Sequence, residues 1–213
     1  MDTSRDWYKG LLMERVVENL KKRGFNAFWS RTKEEAKDKL LAIIPKTAKV
    51  GIGGSVTIRE LGIIDELTNR GNIVVHHWKS GLSSDEDFQI RREELITDVF
   101  LASTNAITID GVIINTDGVG NRVAGMIFGP KHVILVTGIN KIVKDIDEAI
   151  WRIKNIATPM NAHRLGLNTP CAKLGYCINC SSNVSICRVT TIIEHKPSKT
   201  DFTIILVAEE LGY

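Results

Sequence analysis

The sequence predicts an α/β fold built on a mainly parallel sheet. Three observations carry that prediction. Apolar, β-branched runs alternate repeatedly with segments of helical periodicity. Glycine-rich turns follow the ends of several such runs, at Gly53-Gly54-Ser55 and at Gly138. The run His132–Val136 lacks polar alternation, as a strand covered on both faces should.

Taken in order, residues 3–23 read as a helix, because Met13, Val16, Val17 and Leu20 recur at helical spacing and Gly24 closes the segment. Phe25–Trp29 is a short β-like run. Thr32-Lys33-Glu34-Glu35 has the form of a capping box and opens a helix that Pro45 stops after Ile44. Lys49–Ile52 is a strand that feeds Gly53-Gly54-Ser55 and then a helix. Ile73–His77 is the next strand; its adjacent histidines face opposite sides, so they do not share one site and a metal pair is not expected; at most one is functional, and a core or surface histidine is the preferred reading. Trp78–Glu86 reads as a polar loop and Asp87–Thr97 as a helix carrying Arg91, Arg92, Glu93 and Glu94. Ala106–Ile109 and Val112–Asn115 form a hairpin around Asp110-Gly111, a step whose glycine supplies the positive φ of a primed turn. A helix follows over Ile146–Ile156, ended by Pro159. Val189–Ile193 and Phe202–Val207 read as strands around the turn Pro197–Asp201.

The chain has 213 residues, enough for one sizeable core, and its 43% hydrophobic and 25% charged content is that of a globular protein. A single domain over 1–213 is expected, with an N-terminal helical segment at about 1–45 and a cysteine-rich segment at about 168–190. The net charge of +3 is spread among acids rather than massed, which argues against a nucleic-acid partner. No apolar run approaches a membrane span, and the polar start MDTSRDWYKG lacks a signal-peptide core, so a cytoplasmic location is expected. Nothing in the sequence points to nicotinamide or flavin.

Three loops just past strand ends are the candidate site: Gly53–Ser55, Asp117–Arg122 and Gly138–Lys141. A glycine-rich turn entering a helix presents free N–H groups to an anion, and Gly53, Gly54 and Ser55 are placed for that; a plain strand-to-helix turn capped by Ser55 is the alternative. In the stretch Asn115 to Arg122, the side chains of Asn115, Asp117, Asn121 and Arg122 and the backbone of Gly118 form a polar island between apolar strands. Arg122 is the expected partner of a carboxylate and Asp117 the candidate acid or base, with Lys141 as a further cation. The alternative there is a tight turn with a structural Arg–Asp pair.

All four cysteines fall in one run, Cys171, Cys177, Cys180 and Cys187, spaced C-x5-C-x2-C-x6-C. Four thiols so close, in a chain expected to be cytoplasmic, suggest a thiolate metal centre holding zinc or an iron–sulfur cluster. Disulfides or free thiols in a loop are the other readings.

Three segments together resemble the LUD-domain family, the lactate-utilisation proteins: GIGGSVTIRELG (51–62), the run DVFLASTNAITIDGVIINTDGVGNRVAGMIFGPKHVILVTGINKIV (98–143), and AxxRxKNIATPMNAHR (149–164). The resemblance covers most of the chain. It implies a three-layer α/β/α sandwich with a Rossmann-like sheet, of the kind found in CoA transferases, ribose-5-phosphate isomerase and glucosamine-6-phosphate deaminase. Some relatives take part in oxidising lactate to pyruvate, as subunits of a complex with iron–sulfur partners. The long iron–sulfur relatives carry two ferredoxin-type motifs, whereas this chain has one differently spaced run. The implied function is lactate or hydroxy-acid utilisation with a small carboxylate or phosphorylated ligand. The implied partners are a small anion and other subunits of a lactate-oxidising complex or a second copy of the chain. A stand-alone isomerase, transferase or hydrolase of sugar phosphates or CoA esters, and a non-catalytic binding module, are the alternatives.

Overall fold

The computed structural model describes residues 3–213; Met1 and Asp2, the start of the expected N-terminal segment, lie outside the described residues. Along the chain the strands are β1 (Asn26–Ser30), β2 (Lys49–Ile52), β3 (Ile73–His76), β4 (Val99–Ala102), β5 (Ala106–Thr108), β6 (Ile113–Asp117), β7 (His132–Gly138), β8 (Ile142–Val143), β9 (Val189–Ile193) and β10 (Asp201–Val207). The helices are α1 (Thr3–Lys22), α2 (Lys33–Ile43), α3 (Val56–Glu60), α4 (Ile63–Asn69), α5 (Ser84–Glu94), α6 (Asn121–Ile127), α7 (Ile146–Arg152), α8 (Thr158–Arg164) and α9 (Pro170–Leu174).

Six strands form one parallel sheet in the order β1-β10-β7-β4-β2-β3. Period-two alternation divides its side chains between two cores. Phe100, Ala102, Val133, Leu135, Phe202, Ile204 and Leu206 pack with Met13, Val16 and Leu20 of α1 and Met126 of α6. Val99, Leu101, Ile134, Val136, Ile205 and Val207 pack instead with Leu40 of α2, Ile58 of α3 and Ile63 and Leu67 of α4. Helices therefore cover both faces, which is the layered α/β/α arrangement the sequence predicts.

A second sheet, β8-β5-β6-β9, lies beside α1, through Ile107, Ile113 and Ile193, and against α7, through Ala106, Ile114 and Ala149. The Asp110-Gly111 hairpin belongs here: Gly111 has φ +85° and its N–H bonds Thr108 O at 2.8 Å. The two C-terminal strands do not share a sheet. β9 pairs antiparallel with β6, whereas β10 inserts between β1 and β7. Both runs are rich in β-branched residues, and the burial patterns separate them: β10 is buried from Phe202 to Val207, β9 only at Ile193.

Two helix boundaries differ from expectation. α5 begins at Ser84, because Ser83 and Glu86 form a reciprocal capping box inside what reads as a loop. Pro159 does not end the helical run. A wide π-type turn over Ile153–Ala157 resets the backbone, and Pro159 then sits in the first turn of α8, where no N–H is needed.

The close approach of α5 to β2 depends on a missing side chain. A Cβ at Gly51 would lie 2.5 Å from Glu94 O and 2.7 Å from Thr97 Oγ1. Gly51→Ala is expected to lower stability by about 1–3 kcal/mol in denaturant melts, as overpacking does. Gly10→Ala, mid-helix in α1 with nothing within 4 Å of the new methyl, is expected to raise it by about 0.5–1 kcal/mol. Equal shifts from the two would contradict the packing described.

Candidate functional site

The carboxyl ends of β2, β3, β4 and β7 open onto a cavity of about 280 Å³. Gly54, Ser55 and Thr57 line it from the turn after β2, His77 from the end of β3, Ser103 to Asn105 from the end of β4 and Lys141 from the turn after β7. Asp117, Gly118, Asn121 and Arg122 form the wall contributed by the β6–α6 junction, and Thr158, Asn161 and Arg164 of α8 close another side. The three loops singled out in the sequence thus meet at one cavity. Gly53 and Asn115 stand behind its wall. A Cβ on Gly53 would lie 2.8 Å from the Phe100 ring and 3.1 Å from Arg122 Cγ, so the turn after β2 closes on Arg122 only as glycine.

Arg122 is 7% exposed, and the chain engages both terminal nitrogens of its guanidinium. Nη1 donates to Ser103 O (3.0 Å) and Asn115 Oδ1 (2.7 Å); Nη2 donates to Asn105 Oδ1 (3.1 Å) and Thr116 O (2.9 Å). The side chain ties the loop after β4 to the end of β6 and so joins the two sheets. Burial pushes its pKa down while Asp117 pushes it back up. The Asp117 carboxylate accepts from the backbone N–H of Gly118 (2.9 Å), Arg122 (3.1 Å) and Val123 (3.3 Å), capping α6. Both residues are therefore occupied as framework within the wall. Ser55 likewise caps α3, accepting from Ile58 N–H at 3.3 Å.

Lys141 differs. It is 3% exposed, and its ammonium donates to Thr57 Oγ1 (2.8 Å) and Ser103 Oγ (3.0 Å), two neutral hydroxyls. Burial first, then the charges of Arg152 and Arg122, lower its pKa from 10.5 to about 7, and only Glu60 opposes them. Arg152 is itself buried, donating to Asn140 O and Asn105 O. Among the described residues no carboxylate lies within salt-bridge distance of Arg122, Lys141 or Arg152.

One further group was not legible in the sequence. His77, read there as a core or surface residue, lies on the cavity wall, and its Nδ1 sits 2.6 Å from Glu94 Oε1. The same oxygen accepts His77 N–H at 3.1 Å, and Glu94 Oε2 accepts from Asn121 Nδ2 at 3.1 Å. Glu94 is fully buried. The available signals are weak: Ser103-Thr104-Asn105 is a polar triplet directly after an apolar strand, and Glu94 ends a helix that otherwise reads as solvated.

The four cysteines are free. Cys171 is buried on α9, Cys177 and Cys180 are half-buried and Cys187 is exposed overall. The Cys187 thiol still turns to Thr158 Oγ1 at 3.6 Å; burial, then the neighbouring thiols, push its pKa up. The thiols thus feel one another, but among the described residues no three His, Cys, Asp or Glu side chains are grouped so as to hold a metal ion. The preceding residue, Ile186, lines the cavity and packs on Gly118.

The profile of the LUD domain family matches residues 13–207. The chain belongs to the LUD domain family. Within that family, the LUD domain here spans both sheets and every wall of the cavity except Tyr213. A crystal structure of a DUF162 family protein from Deinococcus radiodurans is similar in fold, with TM-score 0.55 and 15% identity over 94% of this chain and 98% of that one. No curated protein sequence matches the chain. Among the described residues no helix is long and apolar enough to cross a membrane.

Two outcomes follow from these contacts. Arg122→Ala is expected to cost about 3 kcal/mol or more in denaturant melts, because four acceptors lose their donor; a change below about 1 kcal/mol would remove it from the framework. A thiol titration of the native protein is expected to label Cys177 and Cys180 quickly and Cys171 only on unfolding, with four thiols in total under denaturant; fewer than four would reveal disulfides.

Proposed function

We propose that the cavity binds a small carboxylate of the 2-hydroxy or 2-oxo acid type, and that this LUD domain serves hydroxy-acid utilisation. The observation that carries the reading is Lys141: a buried ammonium, held by hydroxyls and left without a carboxylate, on the wall of a cavity sized for a few-carbon ligand. Burying a cation without a counter-charge is unfavourable, and an anion entering the cavity supplies the missing charge. The carboxylate and the neighbouring oxygen of a 2-hydroxy or 2-oxo acid lie side by side, so one ammonium can bridge both. In this reading Lys141 replaces Arg122 as the group that meets the ligand, since both terminal nitrogens of Arg122, Nη1 and Nη2, are already engaged.

Protonation sets the pH dependence. An anion favours the charged amine, so binding raises the Lys141 pKa above its free value of about 7. Affinity is therefore full below about pH 7 and falls, approaching tenfold per unit, as the pH rises above it. The empty protein behaves in the opposite sense. Its folded-state pKa lies below the unfolded one, so the burial penalty is complete below about 7 and disappears as the pH rises towards 10.5.

Calorimetry with L-lactate, glycolate and pyruvate between pH 6 and pH 9 tests this. Binding that weakens above neutrality is expected, together with a Lys141→Met variant that melts higher at pH 6 and binds at least tenfold more weakly. Affinity independent of pH, or a Lys141→Met variant that binds as tightly as the parent, would contradict it. Greater thermal stabilisation by a sugar phosphate or CoA ester than by these acids would move the reading to the isomerase or transferase alternative.

A further inference from the structure

The His77–Glu94 pair has no part in anion binding, yet it is built in the manner of a proton-transfer device. Glu94 is fully buried and takes both N–H groups of His77, backbone and Nδ1, on one oxygen. Asn121 Nδ2 holds the other oxygen, so the carboxylate cannot rotate away without losing a bond. This fixes the imidazole plane and places the Nδ1 proton towards Glu94, which leaves Nε2 with its lone pair free. Nε2 makes no hydrogen bond among the described residues and lies beside Gly54: a Cβ there would be 3.5 Å from it. Gly54 and His77 both line the cavity that Lys141 enters from the turn after β7. A structural histidine buried to 8% side-chain exposure would be expected to bond through both ring nitrogens.

We propose that His77, oriented by Glu94, is a general base that removes a proton from the carbon beside the carbonyl of a 2-oxo acid bound in this cavity. The inference rests on the small-carboxylate reading given above. In the forward step the C–H bond breaks, its proton goes to Nε2 and its electron pair forms the carbon–carbon double bond of an enolate. The carbonyl oxygen takes the negative charge, and the Lys141 ammonium meets it. The imidazolium that forms is stabilised by the Glu94 carboxylate. Reprotonation from Nε2 restores the oxo acid, so no oxidant, reductant or second substrate is needed. A base aimed at carbon and a cation on the adjacent oxygen are the two groups that proton abstraction next to a carbonyl requires.

The test is hydrogen–deuterium exchange into the methyl group of pyruvate, followed by proton NMR in D₂O near neutral pH, with pyruvate binding measured on the same samples. The parent protein is expected to accelerate exchange well above the buffer rate. His77→Gln is expected to lower that acceleration by about 100-fold or more while the dissociation constant for pyruvate stays within about threefold. Glu94→Gln, a test of positioning, is expected to lower the exchange rate at saturating pyruvate without moving the dissociation constant. Parent protein that binds pyruvate but exchanges it at the buffer rate would overturn this inference and leave the carboxylate reading standing. So would a His77→Gln variant exchanging at the parent rate. Parent protein that binds none of the carboxylates would remove both.

Discussion

The joint between the two sheets is held by one buried guanidinium. Arg122 reaches from the first turn of α6 to carbonyl and amide oxygens on the loop after β4 and on β6. Those segments belong to different sheets, and they meet the turn after β2 across Gly53, where no side chain fits. Asp117 secures the same junction from its other side by capping α6. Remove the guanidinium and the oxygens gathered around it face each other without a donor, a costly arrangement in a dry interior. The cavity is what remains open once this joint is closed.

The joint also sets the electrostatics of the cavity. Arg122 and Arg152 put fixed positive charge next to Lys141, and burial removes the water that would screen it. Lys141 is held with hydroxyls where a fold built for stability alone would supply a carboxylate or an apolar side chain. Unfavourable local choices of this kind concentrate at binding and catalytic sites, where the stability lost is recovered when a ligand arrives. His77 lines the same cavity, with Glu94 buried behind it and bonded to its Nδ1. A positive floor and a self-contained acid–base pair can therefore coexist without neutralising each other.

The sequence displays local rules well and long-range pairings poorly. Asp110-Gly111 announces its hairpin because the turn's φ requirement is a property of two adjacent residues. Thr32 announces α2 for the same reason, and its side chain does cap Glu35 N–H. The apolar run His132–Val136 of β7 reads as a buried strand because both its faces are covered. By contrast, β9 and β10 both read as strands from their β-branched residues, and only their partners decide that one edges the small sheet while the other lies inside the large one. Pro159 misleads because a wide π-type turn resets the backbone just before it, and that turn has no local signature in the sequence. Two of the three loops converge because β2 and β7 end at one edge of the parallel sheet, a rule of the fold that sequence alternation reveals; the third follows β6 of the second sheet, which Arg122 ties to that edge. The His77–Glu94 pair is invisible in the same text, because it depends on the register with which α5 packs over β2 and β3. Arg122 is visible as a residue, while its role is set by partners that only the folded junction assembles.

The central claim is that Lys141 is a buried amine poised near neutrality for an anion. NMR of protein carrying labelled lysine side chains, with Lys141→Met to assign the signal, observes that amine directly. One lysine should titrate near pH 7, far below the ordinary 10.5, and its midpoint should move upward when lactate or pyruvate is added. A Lys141 signal that titrates near 10.5, or a midpoint near 7 that no carboxylate moves, would contradict the account.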